Sequence, residues 1–577
     1  MFWGYYSLGG FGMRLKNKKY LAVVGIILFT IIMIIPFLKI GQLGVHSDWS
    51  FHSARVQQIY LNLKRGHLFT YIATDTFSKV GNANFLFYPV VFLYPWAFLK
   101  FVFAPITAYL IYVWLIFLTT GLIAFFCMQS FNNKNTRQSF FFSLIYLIAP
   151  YHLYLTLTNY VLGEAIAYTF IPIVLLGIYN IFYKNRWITL SVGMALMAYS
   201  HYVTLFISVE VCLIIAICYL IQNRKITLNQ VKYLIKAIAL FIILSAWQFV
   251  PLFTDYLGKD LVKPGSGFML MQTLGDFIVS AFSNDALNRG GIGLLLLMAL
   301  LFGWKLVNKD SKYMWVYLLG VLLTWMITTA FPWQYFTKTP LSVIQFPYRY
   351  TGYAIAFLAI VLSKVLVSIK FSCNQYVITS VIILFMLMLY AGSIYPDLAR
   401  NARLDKNIPV LSSKREGNYR TFRDSKDTPI ILNNENYNQQ FSYGALYGET
   451  DYMPRRSFDN PRSILNSIVY IGNMKEKKLP YCYANRLSYK IKTPGQTNVN
   501  LPVLAYSNTV VNYNNKEISY RTSARGTVLV KVKKGINKIE IGYKPSIYLF
   551  LFSVVSLIGW IALISLAVKN KYLINRR

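Results

Sequence analysis

The chain has 577 residues, of which 56% are hydrophobic, 17% are aromatic and only 14% are charged. This composition is too apolar for a soluble protein, which must cover its surface with polar groups, so it indicates a polytopic membrane protein. The formal charge of +36 does not call for a nucleic-acid partner, because the basic residues are dispersed along loops and no groove-binding motif is present.

About a dozen apolar runs each approach the roughly 20 residues that a membrane-spanning helix needs. We therefore predict about twelve transmembrane helices, near residues 20–41, 106–130, 138–157, 164–183, 188–201, 203–221, 233–253, 292–307, 314–330, 350–369, 375–394 and 546–567. The first run lacks a small-residue cleavage pattern, so we expect it to stay as a signal anchor. The run 85–103 is not counted, because two X-Pro steps interrupt it. It is predicted to be a bent helix at the outer surface.

The distribution of Lys and Arg agrees with this count. If the N-terminus is cytoplasmic, every inner connection is basic, as the positive-inside rule requires. These connections contain Arg14 to Lys19, Lys134 and Arg137, Lys184 and Arg186, Arg224 and Lys225, Lys305 to Lys312, Lys364 to Lys370, and Lys569 to Arg577. Counting 85–103 as a span would invert every later loop. We predict a multi-pass protein of the cell membrane with both termini in the cytoplasm.

The first outer loop, residues 42–105, contains the stretch Gly44-Val-His-Ser-Asp-Trp-Ser-Phe-His52. It opens a helix that ends near Gly66. Apolar and polar residues alternate on it as in a helix lying on the membrane surface, with Val56, Ile59, Tyr60 and Leu63 on one face and Arg55, Gln58, Asn62 and Arg65 on the other. Asp48 is at the positive end of this helix, which favours an ionised carboxylate that can accept a proton or bind a metal ion. The alternative is an ordinary acidic residue at a helix N-terminus.

Other polar side chains are predicted at the same depth as Asp48. Glu164 begins the fourth span, and His201 follows the fifth. Arg349, in the stretch Gln345-Phe-Pro-Tyr-Arg349, precedes the tenth span. An arginine in this position can bind a phosphate through two of its nitrogens. The alternative is that Arg349 anchors its helix to lipid headgroups.

The acidic residues are concentrated on one side of the predicted membrane. Of 21 Asp and Glu, 12 lie within 396–545, and seven of the other nine are predicted to be outside: Asp48, Asp75, Asp255, Asp260, Asp276, Asp285 and Glu164. Acidic residues contribute little to topology, so an outer site explains this bias, with chance and helix capping as alternatives. Glu210 lies inside the sixth span, where a carboxyl group is costly and has either a structural or a functional role. It is too deep to share a site with Asp48 unless a cavity reaches it.

Polar residues replace the apolar runs after residue 395. We predict a transmembrane domain at 1–395, an extracytoplasmic β-rich domain at 396–545, and a last transmembrane helix with a basic cytoplasmic tail at 546–577. Within the outer domain, 398–443 is expected to form loops and short helices. The second half alternates as strands do and predicts a β-sandwich, with strands at 487–492, 497–504, 509–513, 527–532 and 538–542. The five cysteines show neither a disulfide framework nor a metal-type spacing.

Three classes of function are compatible with these features. The first is an enzyme on the outer face that acts on a lipid-linked substrate, since an interfacial acid, an outer arginine and a soluble outer domain are parts that it needs. The second is a transporter or flippase of lipid-linked saccharides. Against it, no pair of Gly- or Pro-broken spans occupies matching halves. The third is a non-catalytic assembly protein of the cell envelope.

Several short motifs occur in order along nearly the whole chain: His46-Ser-Asp-Trp-Ser-Phe-His52 with Arg55, Gly66, Phe87-Tyr-Pro89, Gly163-Glu164, Ser200-His201, Gln345-Phe-Pro-Tyr-Arg349, Glu449-Thr-Asp-Tyr-Met-Pro454 and Leu501-Pro-Val-Leu-Ala-Tyr506. Together they resemble the bacterial YfhO-type membrane proteins of the GT-C superfamily, which are polyprenyl-phosphate-dependent glycosyltransferases. Each motif is short, and the resemblance depends on the order in which the motifs occur along the chain.

The resemblance implies a GT-C-like fold and an inverting transfer of a sugar from undecaprenyl phosphate to a cell-wall glycopolymer such as teichoic acid. The first-loop acid that serves such enzymes as base or metal ligand matches Asp48. Removing a proton from the acceptor hydroxyl suits a carboxylate, and the departing phosphate needs a cation, for which Arg349 is the candidate. Further candidates for substrate binding are Glu164, His201, His52 and Arg55. A clear Asp-x-Asp pair is absent around Asp48, so a divalent metal ion as cofactor stays open.

Overall fold

The computed structural model describes most of the chain. The described residues are 6–263, 265–307, 309–369, 374–403, 413–416, 419–422, 430–442, 444 and 448–575. Helices dominate the first 403 residues, and strands dominate the region between 468 and 543.

The α-helices occur along the whole chain. They are α1 (Tyr6–Ile40), α2 (Trp49–Lys64), α3 (Asn84–Phe87), α4 (Tyr94–Leu99), α5 (Pro105–Phe131), α6 (Thr136–Ile148), α7 (Pro150–Leu153), α8 (Leu162–Lys184), α9 (Ile188–Ala198), α10 (Tyr202–Asn223), α11 (Leu228–Pro251), α12 (Leu274–Ser283), α13 (Leu294–Val307), α14 (Ser311–Ile327), α15 (Thr351–Ser368), α16 (Gln375–Arg403), α17 (Arg455–Asp459), α18 (Pro461–Leu465) and α19 (Ile547–Asn575).

Eight helices among the described residues are long and apolar enough to cross a membrane: Lys18–Ile40, Pro105–Phe131, Leu162–Lys184, Tyr202–Asn223, Leu228–Tyr256, Pro347–Ser368, Gln375–Ala402 and Ile547–Lys569. A ninth results if α6 and the segment Pro150–Thr158, which meet at an angle of 51°, form one span. The other predicted spans fold as α9, α13 and α14, with 11, 14 and 17 residues. A polytopic helical membrane protein is therefore confirmed at this level, and the count of twelve stays a prediction.

Helix α2 begins and ends where the sequence predicts, with Gly66 at φ +80° just beyond it. Most of its polar stripe is not exposed, and the place of the helix on the membrane surface stays a prediction. Arg55, Gln58 and Asn62 are as buried as the apolar face. The reason is the following loop, which folds back onto the helix: the Gln58 Oε1 atom accepts the backbone N–H of Asp75 at 2.7 Å. Buried polar groups need such partners.

The stretch predicted as one bent helix at 85–103 consists of shorter pieces. These are α3, a 3₁₀ turn at Val91–Leu93, and α4. The chain is extended at Tyr88, because a residue before proline disfavours the helical conformation. No helix of span length forms here, in agreement with leaving this stretch out of the count.

Within the described part of the chain, the strands lie in four antiparallel sheets. They are β1 (Leu43–Val45), β2 (Ser413–Glu416), β3 (Tyr419–Phe422), β4 (Ile430–Leu432), β5 (Ile468–Ile471), β6 (Met474–Lys477), β7 (Tyr481–Tyr483), β8 (Arg486–Thr493), β9 (Thr497–Leu504), β10 (Thr509–Tyr513), β11 (Lys516–Ile518), β12 (Arg521–Thr522), β13 (Thr527–Val532) and β14 (Gly535–Tyr543). The two small sheets are β1–β4 and β2–β3.

The other two sheets have five strands each, in the orders β11-β10-β14-β8-β7 and β12-β13-β9-β5-β6. Their inward side chains form one apolar core that includes Leu487, Val499, Val530 and Ile539. The predicted β-sandwich is thus present, and all five predicted strands lie in it. These strands could be predicted from the sequence because buried and exposed residues alternate along them.

The sandwich is docked on the helical part through the first loop after α2. The backbone N–H of Leu504 donates to the carbonyl of Val80 at 2.9 Å. Asn485, in the turn between β7 and β8, accepts the N–H of Tyr71 at 2.7 Å and donates to the carbonyl of Phe69 at 2.7 Å. The end of the bundle that carries these contacts is called the sandwich end.

The region predicted to contain loops and short helices, 398–443, differs in part. Helix α16 continues through the predicted boundary at 395 to Arg403, and β4 pairs with β1 next to Asp48. The 3₁₀ turn Tyr437–Ser442 follows. The residues 404–412 and 423–429 lie outside the described part of the chain.

The docking contact predicts that Asn485→Gly loosens the loop 69–72. Glycine keeps the left-handed backbone of residue 485 (φ +56°) without strain and deletes only the side-chain bonds, which are worth about 0.5–1.5 kcal/mol each. Hydrogen exchange of the amides of 69–72 should become faster. Asn515→Gly is the matched control, because Asn515 is an exposed hairpin residue at φ +69°. Equal exchange in both variants would contradict the docking role.

Candidate functional site

Asp48 is positioned by the residues on both sides of it. Strand β1 ends at Val45, Ser47 adopts a left-handed conformation (φ +51°), and α2 begins at Trp49. The buried Trp49 indole donates to the Gln440 Oε1 atom at 2.9 Å. It also packs edge-on against Tyr109, with ring centroids 4.8 Å apart. These contacts fix the start of α2 and hence the direction of the Asp48 side chain.

The Asp48 carboxylate lies in a largely enclosed space and makes no capping hydrogen bond to α2. Burial raises its pKa to about 7, and the nearby charge of Arg349 lowers it again in part. The charges of Asp451 and Glu164 add to the upward shift. The expectation that the helix end favours the ionised form is therefore wrong, because desolvation exceeds the effect of the helix dipole. The group is half-ionised near neutral pH.

Arg349 and Glu164 form a buried ion pair across two elements, with 3.3 Å between the Nε and Oε2 atoms. The Nη1 atom of Arg349 donates to the carbonyl of Ile344 at 2.7 Å and to the Gln345 Oε1 atom at 3.0 Å. Tyr151 donates its hydroxyl hydrogen bond to the other oxygen of Glu164. Among the described residues the Nη2 atom of Arg349 has no acceptor, so this nitrogen is left for a ligand.

His201 and His52 both face the ring of Tyr88, each with centroids 6.0 Å from it. Burial holds the pKa of each histidine well below its usual range, with Arg349 acting on His201 and Arg55 on His52. Both rings are therefore neutral at physiological pH. The Nδ1 atom of His201 accepts the N–H of Thr204 at 3.3 Å, which places the ring proton on Nε2 and makes that atom a donor.

Arg55 lies one layer behind this site. Its guanidinium is fully buried between the rings of Phe51, Phe85 and Tyr88. The Nη2 atom donates to the carbonyls of Tyr88 at 2.8 Å and Pro89 at 2.9 Å. Arg55 thus holds the Tyr88-Pro89 backbone and has no surface of its own for a substrate.

Tyr88 reaches the site because residue 163 is a glycine. A Cβ atom at Gly163 would lie 2.3 Å from the Tyr88 hydroxyl oxygen and 3.3 Å from the carbonyl of Ser200. The motif Gly163-Glu164 therefore combines two features at the start of α8. The glycine admits the tyrosine, and the next residue binds Arg349.

Asp451 was not among the predicted site residues, and the structure brings it there. The Asn82 side chain donates to the backbone carbonyls of Glu449 at 3.1 Å and Asp451 at 3.4 Å. Burial raises the pKa of Asp451, and its charge acts on Asp48. The sequence signal was the motif Glu449 to Pro454, but nothing in its spacing showed that it folds back on the first outer loop.

Arg289 is a cation at the edge of the site that sequence reasoning missed; it is exposed and contacts Tyr154. Burial lowers the pKa of His46 to about 4, and the charges of Arg400 and, less strongly, Arg289 add to this shift. His46 is therefore neutral at the edge of the site.

Glu210 is linked to this site through the residue after Arg349. The Tyr350 hydroxyl donates to the Glu210 Oε2 atom at 2.6 Å. The other oxygen, Oε1, is buried and has no hydrogen-bond partner among the described residues. Glu164 and Glu210 are both held by one turn, Pro347–Tyr350: Glu164 pairs with Arg349, and Glu210 accepts from Tyr350.

Among the described residues no three His, Cys, Asp or Glu side chains come close enough together to form a metal site. The charge of Asp451 acts on Asp48, so these two carboxyl groups are electrostatic neighbours. Magnesium is often held by one or two carboxylates together with substrate phosphates, and Asp48 and Asp451 are the carboxylates here that could serve as its ligands.

No protein-family model matches the chain. No curated protein matches it either. The resemblance to YfhO-type proteins therefore stays a prediction from the motifs, and the chemistry of the site carries any assignment of function.

The raised pKa of Asp48 predicts a pH-dependent gain in stability for Asp48→Asn. The folded protein binds the proton of Asp48 more tightly than the unfolded chain, so stability is highest at low pH and falls as the pH rises from 3.8 to about 7. Asparagine never ionises and escapes this loss. The melting temperature in detergent should exceed that of the wild type at pH 8 and match it at pH 4. A constant difference at both pH values would contradict the shift.

Proposed function

We propose that this protein is an extracytoplasmic glycosyltransferase that moves a sugar from a polyprenyl-phosphate carrier, such as undecaprenyl phosphate, to a hydroxyl group of a cell-wall glycopolymer. One observation carries the proposal: a carboxylate with a pKa of about 7 feels the charge of an arginine whose Nη2 atom has no acceptor among the described residues. A base that titrates near the working pH and a cation for a leaving phosphate are the two groups that this reaction needs.

In the proposed reaction the acceptor oxygen attacks the anomeric carbon of the sugar. Asp48 takes the hydroxyl proton, a new glycosidic bond forms, and the bond between the anomeric carbon and the phosphate oxygen breaks. The bonding electrons leave with the polyprenyl phosphate, whose negative charge is stabilised by Arg349. Attack from the face opposite the phosphate inverts the anomeric configuration. A divalent ion, where one is bound, would supply further positive charge to the leaving phosphate.

Other side chains of the site would orient the substrates. Glu164 fixes Arg349 through the 3.3 Å ion pair and leaves its Nη2 atom for the phosphate. His201 offers its Nε2 proton to a sugar or acceptor hydroxyl. His52 and Arg55 act indirectly, since both hold Tyr88 from behind.

We further propose that the chain crosses the membrane twelve times in a GT-C-like arrangement, with the sandwich end outside. The packing of α8 on α9 supports this count: a Cβ atom at Gly177 would meet the Leu190 Cα atom at 2.5 Å, and one at Gly193 would meet Val174. These close contacts let the short α9 run back along α8, so that His201 returns to the end that holds Glu164. Since 11 residues rise only about 16 Å, His201 would lie below the outer surface, at the bottom of a cavity.

The first experiment compares the masses of cell-wall glycopolymers from cells in which the gene is deleted, restored, or restored as Asp48→Asn. We expect the deletion and Asp48→Asn to lack a sugar mass that the restored cells contain, because the variant has no base. Immunoblots of the membrane fraction control for the amount of protein. Identical glycans in all three strains would contradict the proposal and favour transport or assembly, with Glu210 as the next residue to test.

A second prediction separates the phosphate role of Arg349 from its role in folding. Arg349→Ala alone leaves the buried Glu164 carboxylate without its cation, which typically costs about 3–5 kcal/mol. The double variant Arg349→Ala/Glu164→Gln removes both charges and should keep the melting temperature within a few degrees. Its transfer rate from a radiolabelled polyprenyl-phosphate sugar in membranes should fall about 100-fold. A double variant that transfers at the wild-type rate would show that Arg349 only anchors its helix.

A further inference from the structure

A groove of about 700 Å³ lies between the sandwich and the loop after α2. Its floor is one row of the sheet, in which Gly542 stands between Arg486 and Val510. Tyr483 extends this row at the edge strand, and Tyr71 contributes from the loop. This cleft is called the sandwich groove.

The floor is open because its central residue has no side chain. Gly542 faces outward on β14, where any larger residue would fill the space between its two neighbours. The Arg486 guanidinium lies 5.0 Å from the centre of the Tyr483 ring. The Tyr483 ring and the Arg486 guanidinium are thus neighbours on the sheet surface of the groove, and Tyr71 lines the groove from the loop after α2.

Positive charge continues from the groove along the same face. Lys490 and Lys538 are paired across β8 and β14, and Lys492 follows on β8, all exposed. Glu540 lies 3.7 Å from Arg486 and 3.1 Å from Lys538, and Glu517 on β11 shares this face through Asn512. Two carboxylates against four cations leave these residues positive by two charges.

The whole second half of the outer domain has the same bias. Residues 461–545 contain 15 Lys and Arg against 3 Asp and Glu, a net charge of +12. The positive-inside rule concentrates basic residues in the cytoplasm, so topology does not account for this charge on a domain that is predicted to be outside. An anionic binding partner would account for this positive charge.

We propose that the sandwich groove binds a phosphate-bearing glycan chain, the acceptor of the proposed transfer. Arginine and lysine suit its phosphates, and the tyrosine rings offer apolar faces to its sugar rings. Val510 and Ala484 are the aliphatic side chains among the described residues that line the groove, so an acyl chain finds little to contact there. This inference rests on the proposed function, which it extends by assigning the acceptor a binding site of its own, away from Asp48.

The groove and Asp48 lie at opposite ends of one helix. Asp48 precedes α2, and Arg65, which lines the groove, follows it. A helix of 16 residues is about 24 Å long. A chain held in the groove must extend over that length to bring a hydroxyl group to Asp48, which a polymer does and a single sugar does not.

The test measures binding of a fluorescent, glycosylated poly(glycerol phosphate) to the full-length protein in detergent. Arg486→Gln/Lys490→Gln should weaken binding about tenfold, and more at low salt, because charge pairs are screened by ions. Lys475→Gln/Lys477→Gln is the matched control, since both lysines are exposed on β6 of the other sheet; binding should change less than twofold. Tyr483→Ala should also weaken binding, while melting temperatures verify that all variants fold.

Three results would overturn the inference: no binding by the wild type, equal losses in the groove and control variants, or binding to anionic lipid vesicles in place of the polymer. The groove and the proposed function can fail separately. Asp48→Asn should bind the polymer as the wild type does and transfer no sugar. If the wild type binds the polymer but transfers no sugar, the groove proposal stands and the proposed enzymatic function is contradicted. If the wild type transfers sugar but the groove variants bind the polymer normally, the proposed function stands and the groove proposal is contradicted.

Discussion

The buried ion pair between Arg349 and Glu164 is the constraint on which the rest of the site depends. Their side chains are 9% and 5% exposed, and neither charge could stay there alone, since an unpaired buried ion costs several kcal/mol. The pair fixes the guanidinium, and its charge opposes the burial that raises the pKa of Asp48. Without that cation the carboxyl group would be protonated at neutral pH and could not act as a base. The same pair therefore sets both the place of the phosphate site and the acidity of the base.

The turn that carries Arg349 also connects the site to the interior of the bundle. Tyr350 is the next residue and donates to Glu210, so consecutive side chains hold one carboxyl group at a helix start and one inside a span. An acid inside a span is expensive unless a donor meets it, and the tyrosine supplies one for Oε2. A movement of this turn would change the surroundings of both acids together. This coupling explains how Glu210 relates to the site without lying in it.

The periodicity of the sequence predicted those features that depend on a single helix or strand. Five strands of the sandwich and the bounds of α2 were predicted from local alternation, and Glu164, His201 and Arg349 were predicted from their places at helix ends. What failed was the outcome of contacts between distant segments. The sequence predicted that Gln58 and Asn62 lie on a solvent-facing stripe of α2. Their hydrogen-bond partners lie in a loop without sequence periodicity, so nothing in the sequence indicated that these side chains are buried. Asp451 is some 400 residues from Asp48 in sequence, and only tertiary structure brings the two together. The raised pKa of Asp48 likewise results from burial by distant segments, which a rule based only on its position at a helix end does not take into account.

The burial of α2 along its first half, Trp49 to Val56, and at Gln58, Ile59 and Asn62 gives the site a fixed geometry. A helix without such contacts could slide or tilt, whereas α2 is held by the Trp49 contact at one end and by the loop bonded to Gln58 near the other. The Arg65 guanidinium is then paired with the Asp75 carboxylate at 2.6 Å, so the mouth of the sandwich groove is tied to the same helix. The separation of the groove from Asp48 is therefore set by a rigid element. An enzyme built this way would modify an acceptor at a defined distance from the segment that it grips, and the spacing of sugars along the polymer would follow from the length of α2.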